Sequence, residues 1–127
     1  MSKAKRILVV DDDPDFLDYV SIVLTSAGYQ VTTAPTAQAG LEMMKEDPPD
    51  LVIADVMMSY ALDGWTISRK MQSDPRLRDI PVIMVSAVIG EGEDGFLPEL
   101  SCYRMDVFLR KPVEPSVLLQ HIAQLTQ

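Results

Sequence analysis

The sequence predicts an α/β fold in which a doubly wound, five-stranded parallel sheet carries helices on both faces. Short apolar runs are the first observation, and the run from Leu51 to Asp55 is typical of a strand buried on both faces of a parallel sheet. Helical spacing of apolar residues between these runs is the second. Strands joined by right-handed helical crossovers form a sheet that is covered on both sides.

The first half of the chain alternates strand and helix. A first strand from Arg6 to Val10 is followed by a helix that Asp13 can cap and Gly28 can end. The β-branched segment from Tyr29 to Thr33 predicts a second strand, and Thr36 can cap a second helix. These elements lead into the central strand that ends at Asp55.

The second half repeats the pattern with one weak element. A helix runs from about Gly64 through Met71, and strands follow at Pro81 to Val85 and at Val107 to Leu109. Pro115 can start a last helix.

The weak element is the fourth helix, which the sequence predicts to be irregular or shortened. Gly90 to Gly95 contains three glycines and three acidic residues. Each interior Gly costs roughly 1 kcal/mol in a helix, so a loop is expected there, and only Phe96 to Tyr103 can be helical.

Length and charge limit the possible classes of protein. A chain of 127 residues and 14.1 kDa suits a single domain over residues 1–127. The net charge of −8 argues against direct nucleic-acid binding, and no apolar run approaches the roughly 18 residues of a membrane span. The single cysteine, Cys102, excludes an internal disulfide and favours a cytoplasmic location.

Carboxylates follow two of the predicted strands. Asp11, Asp12 and Asp13 come after the first strand and Asp55 ends the third, at the sheet edge where α/β proteins usually bind ligands. Two carboxylates about 4 Å apart repel by roughly 4 kcal/mol at an effective dielectric constant near 20, so they must take up a proton, separate or bind a cation. Mg²⁺ suits such oxygen ligands. The simpler alternative is that Asp13 caps a helix and Asp11 is solvated; we adopt it for Asp13 only.

Four motifs in order complete this sheet edge. They are Asp11-Asp12, Asp55, Ser86-Ala87 and Lys111-Pro112, each at the end of a predicted strand. This set resembles the receiver domain of two-component response regulators, and the resemblance covers nearly the whole chain. It implies a strand order of 2-1-3-4-5 and a cis peptide bond between Lys111 and Pro112.

The resemblance also implies roles for individual residues. Asp55 is similar to the family's phosphoacceptor, while Asp12, Asp55 and the Met57 carbonyl would hold Mg²⁺, with Asp11 acting through water. Ser86 and Lys111 would receive the phosphoryl oxygens. Histidine kinases or histidine phosphotransfer proteins are the implied donors, with an unknown downstream protein as the receiver of the signal and slow self-dephosphorylation to reset it.

A conformational switch is a further implication. Phe108 matches the family's aromatic switch residue, with Ser86 as its hydroxyl partner. Core packing is the equally weighted alternative for a Phe on a short strand.

Two departures from the family pattern affect the loops. Ser59 replaces a proline, and one extra residue precedes Gly64 in the loop after Asp55. The Gly-rich segment and Arg104, where a glycine is usual, alter the stretch before the fifth strand.

Three other functions compete with a phosphorylated receiver. A haloacid dehalogenase-type hydrolase needs an acid two residues after its nucleophile, where this chain has Met57; Asp11 and Asp13 fit that spacing, but the chain has no room for a cap domain. A flavin binder must cradle a phosphate that Asp11, Asp12 and Asp13 would repel. A degenerate receiver that acts as a phosphorylation-independent binding module would keep the same fold.

Overall fold

The computed structural model describes residues 4–55, 63–86 and 107–126. Strands and helices alternate along the described residues as far as β4, and β5 is the next element among the described residues. In order they are β1 (Arg6–Val10), α1 (Pro14–Ser26), β2 (Gln30–Ala34), α2 (Ala37–Glu46), β3 (Leu51–Asp55), α3 (Asp63–Gln72), β4 (Val82–Ser86), β5 (Val107–Arg110) and α4 (Pro115–Leu125).

The five strands form one parallel sheet in the order β2-β1-β3-β4-β5. This order confirms the predicted fold class. The register places Ile7 of β1 opposite Leu51 of β3, and Asp55 opposite Val85 of β4. The carboxyl ends of all five strands therefore lie along one edge.

Alternate strand residues face two separate cores. Leu8 and Val10 of β1 belong to the core under α2 and α3, whereas Ile7 and Val9 belong to the core under α1 and α4. Every residue of β3 is buried. Helices thus cover both faces, which is why the buried strands are nearly continuous in apolar residues rather than alternating.

Local rules set most of the boundaries. The side chain of Asp13 accepts a hydrogen bond from the Asp15 amide, and that of Thr36 from the Ala39 amide, so both predicted N-caps are confirmed. Gly28 ends α1 with φ of 96°, a left-handed conformation that favours glycine.

Three strands differ from the sequence prediction by one residue at one end or at both ends. β2 begins at Gln30 because the Tyr29 amide is used to close α1 on the Leu24 carbonyl. β4 begins after Pro81, which has no amide hydrogen to donate, and extends to Ser86. The last strand extends to Arg110, which pairs with Ser86.

Several predictions concern residues outside the described ranges. They are the helix predicted between β4 and β5, the Gly90 to Gly95 loop and the loop that contains Met57 and Ser59. Among the described helices, none is both long and apolar enough to span a membrane.

Candidate functional site

The candidate site lies at the carboxyl edge of the sheet. The strand pairing of β1 continues one step, because the Asp11 amide donates to the Ala34 carbonyl at 3.1 Å, and this orients Asp11 beyond the end of β1. Asp55 is the last residue of β3, next to β1 in the sheet. Lys111 directly follows β5 and reaches both carboxylates from the other side.

Lys111 joins the two carboxylates. Its Nζ atom lies 2.7 Å from Oδ2 of Asp11 and 3.0 Å from Oδ2 of Asp55. The Asp11 side chain is fully buried, and those of Asp55 and Lys111 are 8% and 14% exposed. The other oxygen of Asp11, Oδ1, accepts a hydrogen bond from the Asp13 amide at 2.9 Å. Asp11 is therefore held in place from two directions.

The charge on Lys111 is maintained by its partners. Burial disfavours the ammonium form, but hydrogen bonds to Asp11 and Asp55, together with the charges of these carboxylates, outweigh that cost and raise the pKa of Lys111 above its ordinary value of 10.5. Lys111 is consequently positively charged throughout the neutral range. Breaking such a pair would leave a buried carboxylate without its compensating charge, which is costly.

Three carboxylates form a cluster that fits a divalent cation. Ligand oxygens of Asp11, Asp12 and Asp55 lie within 4.8 Å of one another, and Asp12 is exposed, so the cluster opens to solvent. When all are ionised, these three negative charges outnumber the one positive charge of Lys111, which pairs with Asp11 and Asp55. An all-oxygen, net negative site that opens to water matches the preference of Mg²⁺ for carboxylates and retained water.

The predicted site residues fall into two groups. Asp11, Asp12, Asp55 and Lys111 come together as expected, although the suggestion that Asp11 is solvated is wrong because its carboxylate is buried against Lys111. The interpretation of Asp13 as a helix cap is confirmed.

The roles of Ser86, Phe108 and Met57 stay predictions. Ser86 is the last residue of β4, at the same edge, and Phe108 lies on β5 opposite Met84; their side chains are outside the description. Met57 is outside the described residues altogether. The Lys111–Pro112 peptide bond is cis, as the resemblance implies.

Sequence reasoning missed two residues of α1 that contact the lysine segment. Phe16 is a buried residue of the core under α1 and α4, and its ring centroid also lies 4.3 Å from Nζ of Lys111. The Tyr19 hydroxyl donates to the Val113 carbonyl at 2.7 Å. The three-residue spacing places both rings on one side of the helix, but it does not reveal what they touch.

Sequence comparison matches nearly the whole chain to known proteins. A family model described as the response regulator receiver domain matches residues 7–123. Response regulator PleD from Caulobacter vibrioides is 37% identical over 122 residues, which cover 96% of this chain and 26% of PleD. The chain therefore spans about a quarter of the length of that relative.

Two solved structures are similar in fold. The signal receiver domain of a signal transduction histidine kinase from Syntrophus aciditrophicus has a TM-score of 0.85 and 31% identity, over 97% of this chain and 90% of that one. The receiver domain of sensor histidine kinase PA1611 from Pseudomonas aeruginosa PAO1, with a magnesium ion coordinated in its active site cleft, has a TM-score of 0.84. It is 23% identical and covers 97% of this chain and 98% of that one, which supports the fold alone.

Proposed function

The chain belongs to the response regulator receiver domain family, and from that premise we propose that it accepts a phosphoryl group on Asp55. The donor is a histidine kinase or a histidine phosphotransfer protein, and the signal passes to a downstream protein through a change in surface. Receiver domains are signalling domains rather than enzymes. Residues 1–127 form one such domain in this proposal.

The ion pairs of Lys111 are the observation that carries the proposal. An ammonium group lies 3.0 Å from the carboxylate that would accept the phosphoryl group, and it is only 14% exposed. Positive charge that is already in place needs no reorganisation when negative charge arrives with the phosphoryl group. A carboxylate that pairs with a lysine only for stability would not need two further carboxylates, those of Asp11 and Asp12, beside it.

The proposed chemical step is a phosphoryl transfer from nitrogen to oxygen. An oxygen of the Asp55 carboxylate forms a bond to phosphorus as the phosphorus–nitrogen bond of the donor phosphohistidine breaks. The electron pair of that bond stays on the imidazole nitrogen of the donor, which takes a proton from water. Lys111, which already lies beside Asp55, exchanges its hydrogen bond to the Asp55 carboxylate for one to a phosphoryl oxygen. Slow attack of water on the acyl phosphate releases inorganic phosphate and returns Asp55 to a carboxylate.

Magnesium belongs to this proposal because the donor set fits it. Asp11, Asp12 and Asp55 would hold the ion together with the Met57 carbonyl, Asp11 acting through water. When bound, Mg²⁺ neutralises charge on the transferred group. Asp12 is the exposed member of the cluster and would be the carboxylate that first meets an ion arriving from solvent.

A readout of phosphorylation is also part of the proposal. Ser86 ends β4 at the same edge as Asp55, and Phe108 lies on the adjacent strand β5. A phosphoryl oxygen that draws the Ser86 hydroxyl inward would leave room for the Phe108 ring to turn. This would change the outer face that a partner contacts.

Intact mass measurement tests the proposed acceptor. We expect the protein with Mg²⁺ and acetyl phosphate or phosphoramidate to gain one phosphoryl group, and Asp55→Asn to gain none. Asp50→Asn is the matched control, because Asp50 immediately precedes β3 at the opposite end of the strand and contacts the Arg6 amide instead. It should be phosphorylated like the parent.

Two results would contradict the proposal. An unmodified parent under several donors would favour the phosphorylation-independent binding module. Full modification of Asp55→Asn would place the acceptor at another residue.

A further inference from the structure

Helix α1 contacts the segment that follows β5 at two points. The Phe16 ring lies against the Lys111 ammonium at 4.3 Å, and the Tyr19 hydroxyl donates to the Val113 carbonyl at 2.7 Å. The two rings also contact each other, with centroids 6.5 Å apart. One helix thus holds both the tip of the lysine and the backbone two residues beyond it.

Lys111 needs such restraint because it has space to move. An open cavity of about 530 Å³ lies between α1 and the segment after β5, and Phe16, Tyr19 and Lys111 are among its lining residues. A lysine side chain has four rotatable carbon–carbon bonds and loses substantial entropy when it is held in one conformation. Rotation into this cavity would carry the ammonium away from Asp55.

We propose that Phe16 and Tyr19 are positioning residues that hold Lys111 toward Asp55 before the phosphodonor arrives. The inference rests on the proposed function of Asp55 as acceptor. Neither side chain touches the reacting atoms in this scheme; both act through Lys111.

The two residues restrain Lys111 in different ways. A cation within about 6 Å of a ring centroid is attracted to the face of the ring, and the attraction is stronger when the pair is shielded from water. Phe16 is 9% exposed, so its ring meets that condition. Tyr19 is 37% exposed, and only its hydroxyl reaches the Val113 carbonyl, so it acts on the backbone from which Lys111 projects.

Three variants separate these contributions. Phe16→Leu keeps an apolar side chain but removes the ring face, Phe16→Tyr retains that face, and Tyr19→Phe removes only the hydroxyl. Val20→Ala is the matched control for lost packing, because Val20 is fully buried on the same helix and belongs to the same core.

Nuclear magnetic resonance reads the position of Lys111 without any phosphorylation. The chain has five lysines, so a Lys111→Arg variant assigns the Lys111 signals. Protons near the ammonium should be shifted upfield by the Phe16 ring current in the parent and in Phe16→Tyr. That shift should shrink in Tyr19→Phe, which keeps the Phe16 ring but frees the Lys111 segment, and it should be retained in Val20→Ala.

Phosphorylation kinetics measure how the position of Lys111 affects the reaction rate. With Mg²⁺ and saturating phosphoramidate, we expect Phe16→Leu to lower the maximal rate about threefold to tenfold, from the strength of a partly buried cation–π contact. Tyr19→Phe should lower it about twofold to fivefold, as expected for one hydrogen bond. The half-saturating donor concentration should stay unchanged, and Phe16→Tyr should keep the maximal rate of the parent.

The outcomes distinguish this inference from the proposed function. If Phe16→Leu and Tyr19→Phe keep the parent rate and Tyr19→Phe also keeps the ring-current shift, or if Val20→Ala slows the reaction as much as Phe16→Leu does, the positioning role is overturned. If the parent itself takes no phosphoryl group, the proposed function fails. The Lys111 signals in Tyr19→Phe then still decide whether the side chain is held in place, and they do so even if Phe16→Leu does not fold.

Discussion

Three consecutive acidic residues have three different tasks at the end of β1. The Asp11 carboxylate is buried against Lys111, Asp12 is exposed beside the same cluster, and Asp13 caps α1. The chain turns here from a strand to a helix, so successive side chains point in unrelated directions. Residue type alone therefore does not give the role of each carboxylate.

The residue-scale prediction separates the cap from the ligand. Asp13→Ala should lower the free energy of unfolding by about 1 kcal/mol, because the Asp15 amide loses its acceptor. Asp13→Asn should keep most of that stability, since Asn is an equally good N-cap. Urea unfolding without added metal measures both values.

Comparison of Asp13→Ala with Asp12→Asn tests the assignment of Asp12 as a metal ligand and Asp13 as a helix cap. Asp12→Asn should weaken Mg²⁺ binding, measured by calorimetry, far more than Asp13→Ala does. Equal loss of affinity in the two would show that Asp13 belongs to the metal site.

At the scale of elements, the close approach of α2 to β1 depends on a glycine. A Cβ atom at Gly40 would lie 2.8 Å from Cγ2 of Val10, closer than real Cβ contacts allow. Val10 is fully buried and β-branched, so its side chain has little freedom to move aside. Gly40 is buried in the middle of α2, where Ala would otherwise be the better helix former.

At this scale, we predict that the effect of Gly40→Ala on the free energy of unfolding changes sign when Val10 is replaced by Ala. Gly40→Ala should destabilise the protein by about 1 kcal/mol, because overpacking of roughly 1–3 kcal/mol exceeds the gain in helix propensity of about 1 kcal/mol. In a Val10→Ala background the clash is gone, and Gly40→Ala should then stabilise. Thermal or urea unfolding of the four proteins measures the coupling, and additive effects would contradict the contact.

At the scale of the molecule, folding gathers negative charge at one edge of the sheet. The chain carries a net charge of −8, and three carboxylates lie together at this edge, two of them paired with Lys111. The cluster takes residues from the segment after β1, from β3 and from the segment after β5, so it exists only when the sheet is assembled. A cation that binds there binds the folded state and not the unfolded chain.

Magnesium should therefore stabilise the whole fold. At a free Mg²⁺ concentration 100 times Kd, the free energy of unfolding should rise by about 2.7 kcal/mol, as mass action requires. Thermal unfolding with and without the ion measures the gain, which Asp12→Asn should largely remove.

A salt control and a charge control accompany this measurement. Asp50→Asn removes one negative charge at the opposite edge of the sheet and should keep the full magnesium effect. An equal rise in stability with NaCl at matched ionic strength would mean that screening, and not a bound ion, is responsible.

The sequence by itself determined the local elements and much of the sheet edge. Apolar runs, caps at Asp13 and Thr36 and the stop at Gly28 depend on interactions within a few residues, so their predicted positions agree with the structure to within one residue at most boundaries. The meeting of Asp11, Asp12 and Asp55 followed from one rule about parallel strands.

Tertiary structure alone decided what each of these side chains contacts. Asp11 and Lys111 are 100 residues apart in the chain, and their ion pair depends on strand order, register and side-chain direction together. The burial of Asp11, the Phe16 ring beside the ammonium and the Tyr19 bond to Val113 have the same origin. Periodicity in a sequence shows which face of a helix is apolar, but only packing determines which distant residue that face meets.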